Sequence, residues 1–271
     1  MASDFFKKGI SPEVYACDLR YQMKASDKFI DLDRVCDYLG IELMEDDLGD
    51  KGIVSGCLIK EGNSAAVLVN EHIAYHGKKR FTIGHEIGHF CIPWHVKTEY
   101  ECRTADLEAF KSDKEEEFEA NLFASELLFP TKAAVEILKK KEVSMHLTKI
   151  VADEYGLSLC AAARKLVEKT EYDTCAIVLS QNSTCLWRIR SPKFLKRGLD
   201  MRSRGIVLPS IVWEGKTKGY PANWIIGDRV SNIAHVWEEH IDFSKLNMVL
   251  SLISVPDNSF NEIDEFEEDE Y

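Results

Sequence analysis

The 271-residue sequence predicts an α+β fold, in which helical and β-like segments are grouped along the chain rather than regularly alternating. Three observations carry this expectation. Helical apolar spacing dominates residues 12–39 and 81–170, short β-like runs cluster between residues 41 and 70, and the texture turns β-rich again from about residue 172.

Taken in order, residues 12–28 show a mixed helical pattern in Val14, Cys17, Leu19, Tyr21 and Met23. Asp31 is placed to cap a helix running through Leu39, and Gly40 to end it. Ile41–Met44, Ile53–Lys60 and Ala65–Asn70 read as strands, with Glu61-Gly62-Asn63 as a hairpin turn. Phe81, Ile83, Ile87 and Phe90 then mark one side of a helix that stops near Ile92, because Pro93 cannot continue it. Gly84 and Gly88 weaken that helix on propensity, which suits a strand or substrate approaching its backbone closely. An acidic helix begins at Lys114, with Phe118, Leu122, Ser125 and Phe129 as its apolar stripe and Phe123 and Leu127 beside it.

Helical patterns continue over Thr131–Lys141, Leu147–Tyr155 and Ser158–Thr170, with Gly156 at a tight bend. The last two faintly resemble a helix-turn-helix, but a second helix opening Leu159-Cys160-Ala161-Ala162-Ala163 is too apolar to read bases and is expected to pack beneath the preceding domain. Cys175–Leu179 and Thr184–Arg190 read as strands joined by Gln181-Asn182-Ser183, and further strand-like runs fall at 211–213, 222–226, 229–237 and 248–255.

The chemistry concentrates in His85-Glu86-Ile87-Gly88-His89, an H-E-x-x-H zinc-protease motif. Histidines four apart on a helix share a face and can close on one metal ion, while Glu86 lies beside them as a general base for water. Catalytic zinc usually takes a third protein ligand. The acidic helix is its best source: Glu117 and Asn121, four apart, share a face, so Glu117 can bind the metal while Asn121 orients a ligand histidine. Glu116 and Glu119 compete for the role, and spacing does not choose among the three. His72, Tyr75, His76, His95 and Tyr100 are the candidates for stabilising an oxyanion, none favoured over the others.

Phe81-Thr82-Ile83-Gly84-His85-Glu86-Ile87-Gly88-His89, followed by Glu117-x-x-Ala-Asn121-x-Phe-Ala124-x-x-Leu-Leu128-x-Pro130, resembles the ImmA/IrrE family of metallopeptidases over roughly residues 29–170. Phe129 stands where that family commonly has methionine, an apolar exchange. The resemblance implies a zincin-like, gluzincin-type metallopeptidase domain with a small twisted β-sheet and a helical subdomain. It implies zinc (manganese is the alternative) held by His85, His89 and Glu117, with Glu86 as catalytic base and Asn121 behind the ligands. The implied activity is a limited cut in a helix-turn-helix repressor that controls stress, phage or mobile-element genes; the rival is a non-catalytic partner-binding or antitoxin-like module on the same fold. The expected organisation is an N-terminal helical extension at 1–28, the metallopeptidase domain at 29–130, the helical subdomain at 131–171, a mainly β or α+β sensing or partner-binding domain at 172–260 and an acidic tail at 261–271.

Composition bounds the setting. Hydrophobic content of 45% and charged content of 30% are those of an ordinary globular chain. No apolar run approaches the ~18 residues of a membrane span, and no secretory pattern opens the chain, so a cytoplasmic protein is expected. Its eight cysteines form no C-x-x-C pair and read as reduced thiols. Net charge is −12, and seven acids in Glu262–Tyr271 leave −5 for the rest, which disfavours direct nucleic-acid binding. Arg188, Arg190, Lys193, Lys196, Arg197, Arg202 and Arg204 surround Asp200 as a local basic cluster, expected to be a solvated face.

Overall fold

The computed structural model describes residues 10–25, 29–49, 54–103, 115–206 and 215–260. The fold is α+β and comprises two compact units, Met1–Ala133 with Ala152–Ser158, and Ala134–Val151 with Leu159–Tyr271. No described helix is long and apolar enough to cross a membrane.

The first unit opens with helix α1 (Pro12–Gln22) and α2 (Leu32–Leu39). Asp31 caps α2 as expected, its carboxylate accepting from the amides of Asp33 and Arg34 at 3.1 and 3.3 Å. Gly40 ends it in the left-handed region at φ +71°, where a residue without Cβ is least strained. Strands β1 (Ile41–Asp46), β2 (Val54–Glu61) and β3 (Ser64–Asn70) follow, then helix α3 (His76–Cys91) and strand β4 (Glu99–Arg103). The sheet order is β1-β3-β2-β4, with β1 parallel to β3 and the other pairs antiparallel. Leu58, Val67 and Val69 of the sheet meet Ile83 and Ile87 of α3 in one apolar core, which α1 shares through Ala16 and Leu19.

Helix α4 (Glu115–Leu128) completes this core and corrects two expectations. Phe118, Leu122 and Ser125 are only half-buried; the inward face instead carries Glu117, Ala120, Asn121, Phe123, Ala124 and Leu127. The cause is the glycine pair of α3. A Cβ at Gly88 would lie 3.1 Å from Cδ1 of Phe123, and one at Gly84 would lie 3.5 Å from Cβ of Ala124. The backbone that approaches the glycines is therefore helix α4, not a strand or a substrate. The glycines let α4 approach closely with Ala120, Phe123 and Ala124 against them, and Phe118, Leu122 and Ser125 are left half-buried. The fully buried Arg20 of α1 donates to the carbonyl of Leu127 and satisfies part of the C-terminal end of α4.

Helices α5 (Thr131–Leu138), α6 (Met145–Tyr155) and α7 (Leu159–Lys169) come next. The second unit then builds an antiparallel sheet from β5 (Cys175–Gln181), β6 (Thr184–Arg190), β8 (Thr217–Gly219), β10 (Val236–Phe243) and β11 (Met248–Ser254), in the order β6-β5-β11-β10-β8. Asn182 and Ser183, at φ +49° and +60°, form the two-residue hairpin turn between β5 and β6. Between them lie α8 (Pro192–Lys196) and the small pair β7 (Asp200–Met201) and β9 (Ile225–Ile226). The strand expected at 222–226 is mostly the short helix α9 (Pro221–Trp224), opened by a proline at its first position. The one expected at 229–237 begins as a 3-10 turn over Asp228–Asn232, and the run expected at 211–213 lies outside the described residues. The basic cluster is partly neutralised: Arg190 and Arg188 approach Asp200 at 2.7 and 3.8 Å, and Lys193 and Arg197 approach Asp257 at 2.9 Å each.

Candidate metal centre

Helix α3 presents His85 and His89 toward α4, one turn apart, both completely buried. Their Nε2 atoms are 3.0 Å apart. Glu117, from the first turn of described α4, closes the group: its Oε2 is 3.2 Å from Nε2 of His85 and its Oε1 is 3.7 Å from Nε2 of His89. Burial opposes the charge of Glu117, but the pull of the two imidazoles, exerted when they carry a proton toward it, outweighs burial and lowers the carboxyl below the usual range. Burial lowers His89 as well, to about 3, with the neighbouring His85 and His95 adding to the penalty for its cation.

Behind this group the rings are fixed. Nδ1 of His85 is 2.9 Å from Oδ1 of Asn121, one turn beyond Glu117 on the same face of α4. An amide oxygen only accepts, so Nδ1 carries the proton and Nε2 of His85 turns a lone pair toward Glu117 and His89. Nδ1 of His89 is 2.9 Å from Nδ1 of His95, whose Nε2 is 2.9 Å from Oε2 of Glu119. Trp94 donates from Nε1 to that same oxygen at 2.7 Å. Tyr100 of β4 stacks on His89 with ring centroids 4.0 Å apart.

The three glutamates that compete in the sequence are thus separated. Glu117 joins His85 and His89, Glu119 belongs to His95 and Trp94, and Glu116 pairs at the surface with Lys97. His95, an oxyanion candidate by sequence, lies behind His89 instead, and Tyr100 covers the same ring. His72 pairs at the surface with Asp47 at 3.3 Å.

Glu86 is fully buried beside the group, and neither carboxylate oxygen has a hydrogen-bond partner among the described residues. Burial, with the charge of Glu117 added, raises its pKa well above the ordinary carboxylate value. Two positions unread in the sequence make its surroundings. Gly56 of β2 leaves space beside Oε1 of Glu86, and the thiol of Cys102 on β4 lies within 4.8 Å of donor atoms of His85 and Glu86. The charged–apolar alternation Glu99-Tyr100-Glu101-Cys102-Arg103 was the available signal for that strand.

Two imidazole lone pairs and a carboxylate converging in a buried space repel one another unless a cation stands among them. The His85–His89–Glu117 donor set, with its atoms within 4.8 Å of one another, suits a divalent metal of zinc type. The buried, unpartnered carboxylate of Glu86 fits the same reading, because such a group calls for a polar partner such as water.

Comparison with known proteins agrees on the family. Residues 36–167 match the model of the IrrE N-terminal-like domain, Peptidase_M78. No curated protein sequence matches the chain. Among solved structures, a Mycobacterium tuberculosis transcriptional regulator is similar at 12% identity and a TM-score of 0.48, over 90% of this chain and 75% of that one. The matched residues 36–167 hold His85, Glu86, His89 and Glu117, and the match supports membership of the ImmA/IrrE family.

Proposed function

We propose that this chain is a cytoplasmic zinc-dependent endopeptidase with a zincin-like, gluzincin-type catalytic domain, and that it makes a limited cut in a helix-turn-helix repressor. His85, His89 and Glu117 would hold the ion, and Asn121 keeps His85 in the tautomer that can do so. When bound, zinc supplies Lewis acidity toward water and the scissile carbonyl. Glu86 accepts the proton of the attacking water at its carboxylate and returns it to the leaving amine. Its raised pKa suits both halves of that exchange, since a carboxyl must hold the proton between them. The substrate would lie extended along β4, whose outer edge pairs with no described strand. The repressor as substrate rests on the resemblance to the family.

The observation that carries this reading is Glu86: a buried carboxylate without a hydrogen-bond partner among the described residues, set beside a converging His–His–Glu group. Burying a bare charge serves no purpose in a pure zinc holder or a binding module. The test is mass spectrometry of a repressor encoded next to this gene, incubated with the full chain and zinc. One discrete cut, absent with Glu86→Gln although that variant keeps its zinc, supports the enzyme. A stable complex without scission supports the binding module.

A further inference from the structure

The hydrogen bonds behind His89 run further than a metal ligand requires. A ligand histidine normally leans on a carboxylate, a carbonyl or water; here Nδ1 of His89 meets a second imidazole, His95, and only then a carboxylate, Glu119. The chain has a single consistent proton arrangement. With Nε2 of His89 turned toward Glu117, its Nδ1–H donates to Nδ1 of His95, whose proton must then sit on Nε2 and donate to Glu119. Glu119 also takes the indole N–H of Trp94, so its negative end is fixed from two sides.

The backbone is shaped to deliver His95 there. After α3 ends at Cys91, the segment through Pro93 turns back, with the amide of His95 donating to the carbonyl of Ile92 at 3.1 Å. Lys60 of β2 donates to the carbonyls of His89 and His95, at 3.1 and 2.7 Å, and so ties both ring-bearing residues to one point. Tyr100 stacks on both rings, with centroids 4.0 Å from His89 and 5.8 Å from His95. Three buried polar side chains in series carry a desolvation cost that an apolar filling would avoid. The series ends on the one nitrogen whose protonation decides whether Nε2 of His89 has a lone pair to give.

We infer that His95 and Glu119 are positioning residues of the metal site: through hydrogen bonds in series they hold His89 in its ligating tautomer and strengthen Nε2 as a donor. This rests on the metal reading of His85, His89 and Glu117. It adds that zinc affinity is set by two residues that do not touch the ion.

The experiment measures zinc affinity of the full chain by competition with a chromophoric chelator, without any proteolysis assay. His95→Leu, which removes the acceptor, should weaken zinc binding by about 10- to 100-fold. His95→Asn places an amide oxygen near the position of Nδ1 and should recover part of that loss. Glu119→Gln, which keeps the shape and removes the charge, should weaken binding by about tenfold. Equal affinity of the wild type, His95→Leu and Glu119→Gln overturns the inference, as does an Asn variant as weak as the Leu variant. If His95→Leu does not fold, Glu119→Gln and His95→Asn decide. A folded wild type that binds no zinc overturns the metal reading and this inference with it, whereas failure of the relay alone leaves Glu117→Ala still deficient in metal.

Discussion

Gly56 stands against Glu86: a methyl group at Gly56 would lie 3.2 Å from Oε1 of Glu86 and 2.6 Å from Cγ2 of Thr82. Gly56 also sits at the register shift where β2 pairs with β4, so the strand bends at the point where the carboxylate needs room. Gly56→Ala should therefore lower stability by about 1–3 kcal/mol through overpacking and push Glu86 out of line. Thr82→Ser removes the clashing methyl and keeps the hydroxyl that donates to the carbonyl of Lys78, so the double variant should regain much of the loss. Thermal unfolding of both variants checks this, and a Gly56→Ala protein melting like the wild type would contradict the packing described.

The two glycines of α3 predict opposite outcomes. An added methyl at Gly88 meets Phe123 and Ala120 at 3.1–3.3 Å, while one at Gly84 meets Ala124 at an ordinary 3.5 Å. Gly88→Ala should separate α3 from α4, cost about 1–3 kcal/mol and weaken metal binding as Glu117 moves from His89. Gly84→Ala should be neutral, or stabilise by up to about 1 kcal/mol through helix propensity. Chemical denaturation with parallel metal analysis separates the two; equal effects would count against the helix contact.

Acid should undo the site. The folded state depresses His89 from 6.5 to about 3, chiefly by burial, so below 6.5 the unfolded chain takes up a proton that the folded chain refuses. The stability carried by neutral His89 is complete above pH 6.5 and drains away as pH falls toward 3. Zinc binding pushes the same way, because a protonated imidazole is no ligand. Urea unfolding of the zinc-free protein at pH 7.5, 5.5 and 4.5 should show a falling midpoint, shallower in His89→Gln. A midpoint indifferent to pH in the wild type would rule this out.

In the second unit, Glu238 accepts from the indole N–H of Trp224 at 2.7 Å through Oε1 and reaches Nε2 of His240 at 3.2 Å through Oε2. His240 in turn meets the hydroxyl of Ser251 at 2.8 Å across the β10–β11 pair. Removing the carboxylate strands a buried indole donor and the ring it orients. Glu238→Ala should cost about 2–4 kcal/mol, Glu238→Gln clearly less. Tryptophan fluorescence during denaturation, to which Trp224 contributes with four other tryptophans, follows the transition, and an alanine variant with unchanged unfolding would refute the assignment.

What the sequence made legible was local. Asp31 and Gly40 mark the ends of α2 by their own side-chain and backbone chemistry, and His85 and His89 share a face by helical spacing alone. Glu117 and Glu119 are both buried and two residues apart, so periodicity could not assign their partners. Their roles depend on which element arrives opposite: α3 for Glu117, and the segment after Pro93 for Glu119. The inward face of α4 was misread for a related reason. Phe118 and Leu122 are as large and apolar as Phe123 and Leu127, so side-chain size could not choose between the two faces; the glycines of α3 select the one that carries Ala120, Phe123 and Ala124. Strand β4 was missed because five residues of alternation, three of them charged, give little apolar signal.

Helix α4 carries Glu117, Glu119 and Asn121 within five consecutive positions, and each engages a different imidazole arrangement. One residue of helical phase is about 100° of rotation, so a slip by a single position would carry all three away from their rings together. Insertions or deletions inside this stretch cannot be absorbed gradually. The site is keyed to the phase of one helix, much as a lock is to the rotation of its cylinder: aligned it engages at every pin, and turned by one step it engages at none.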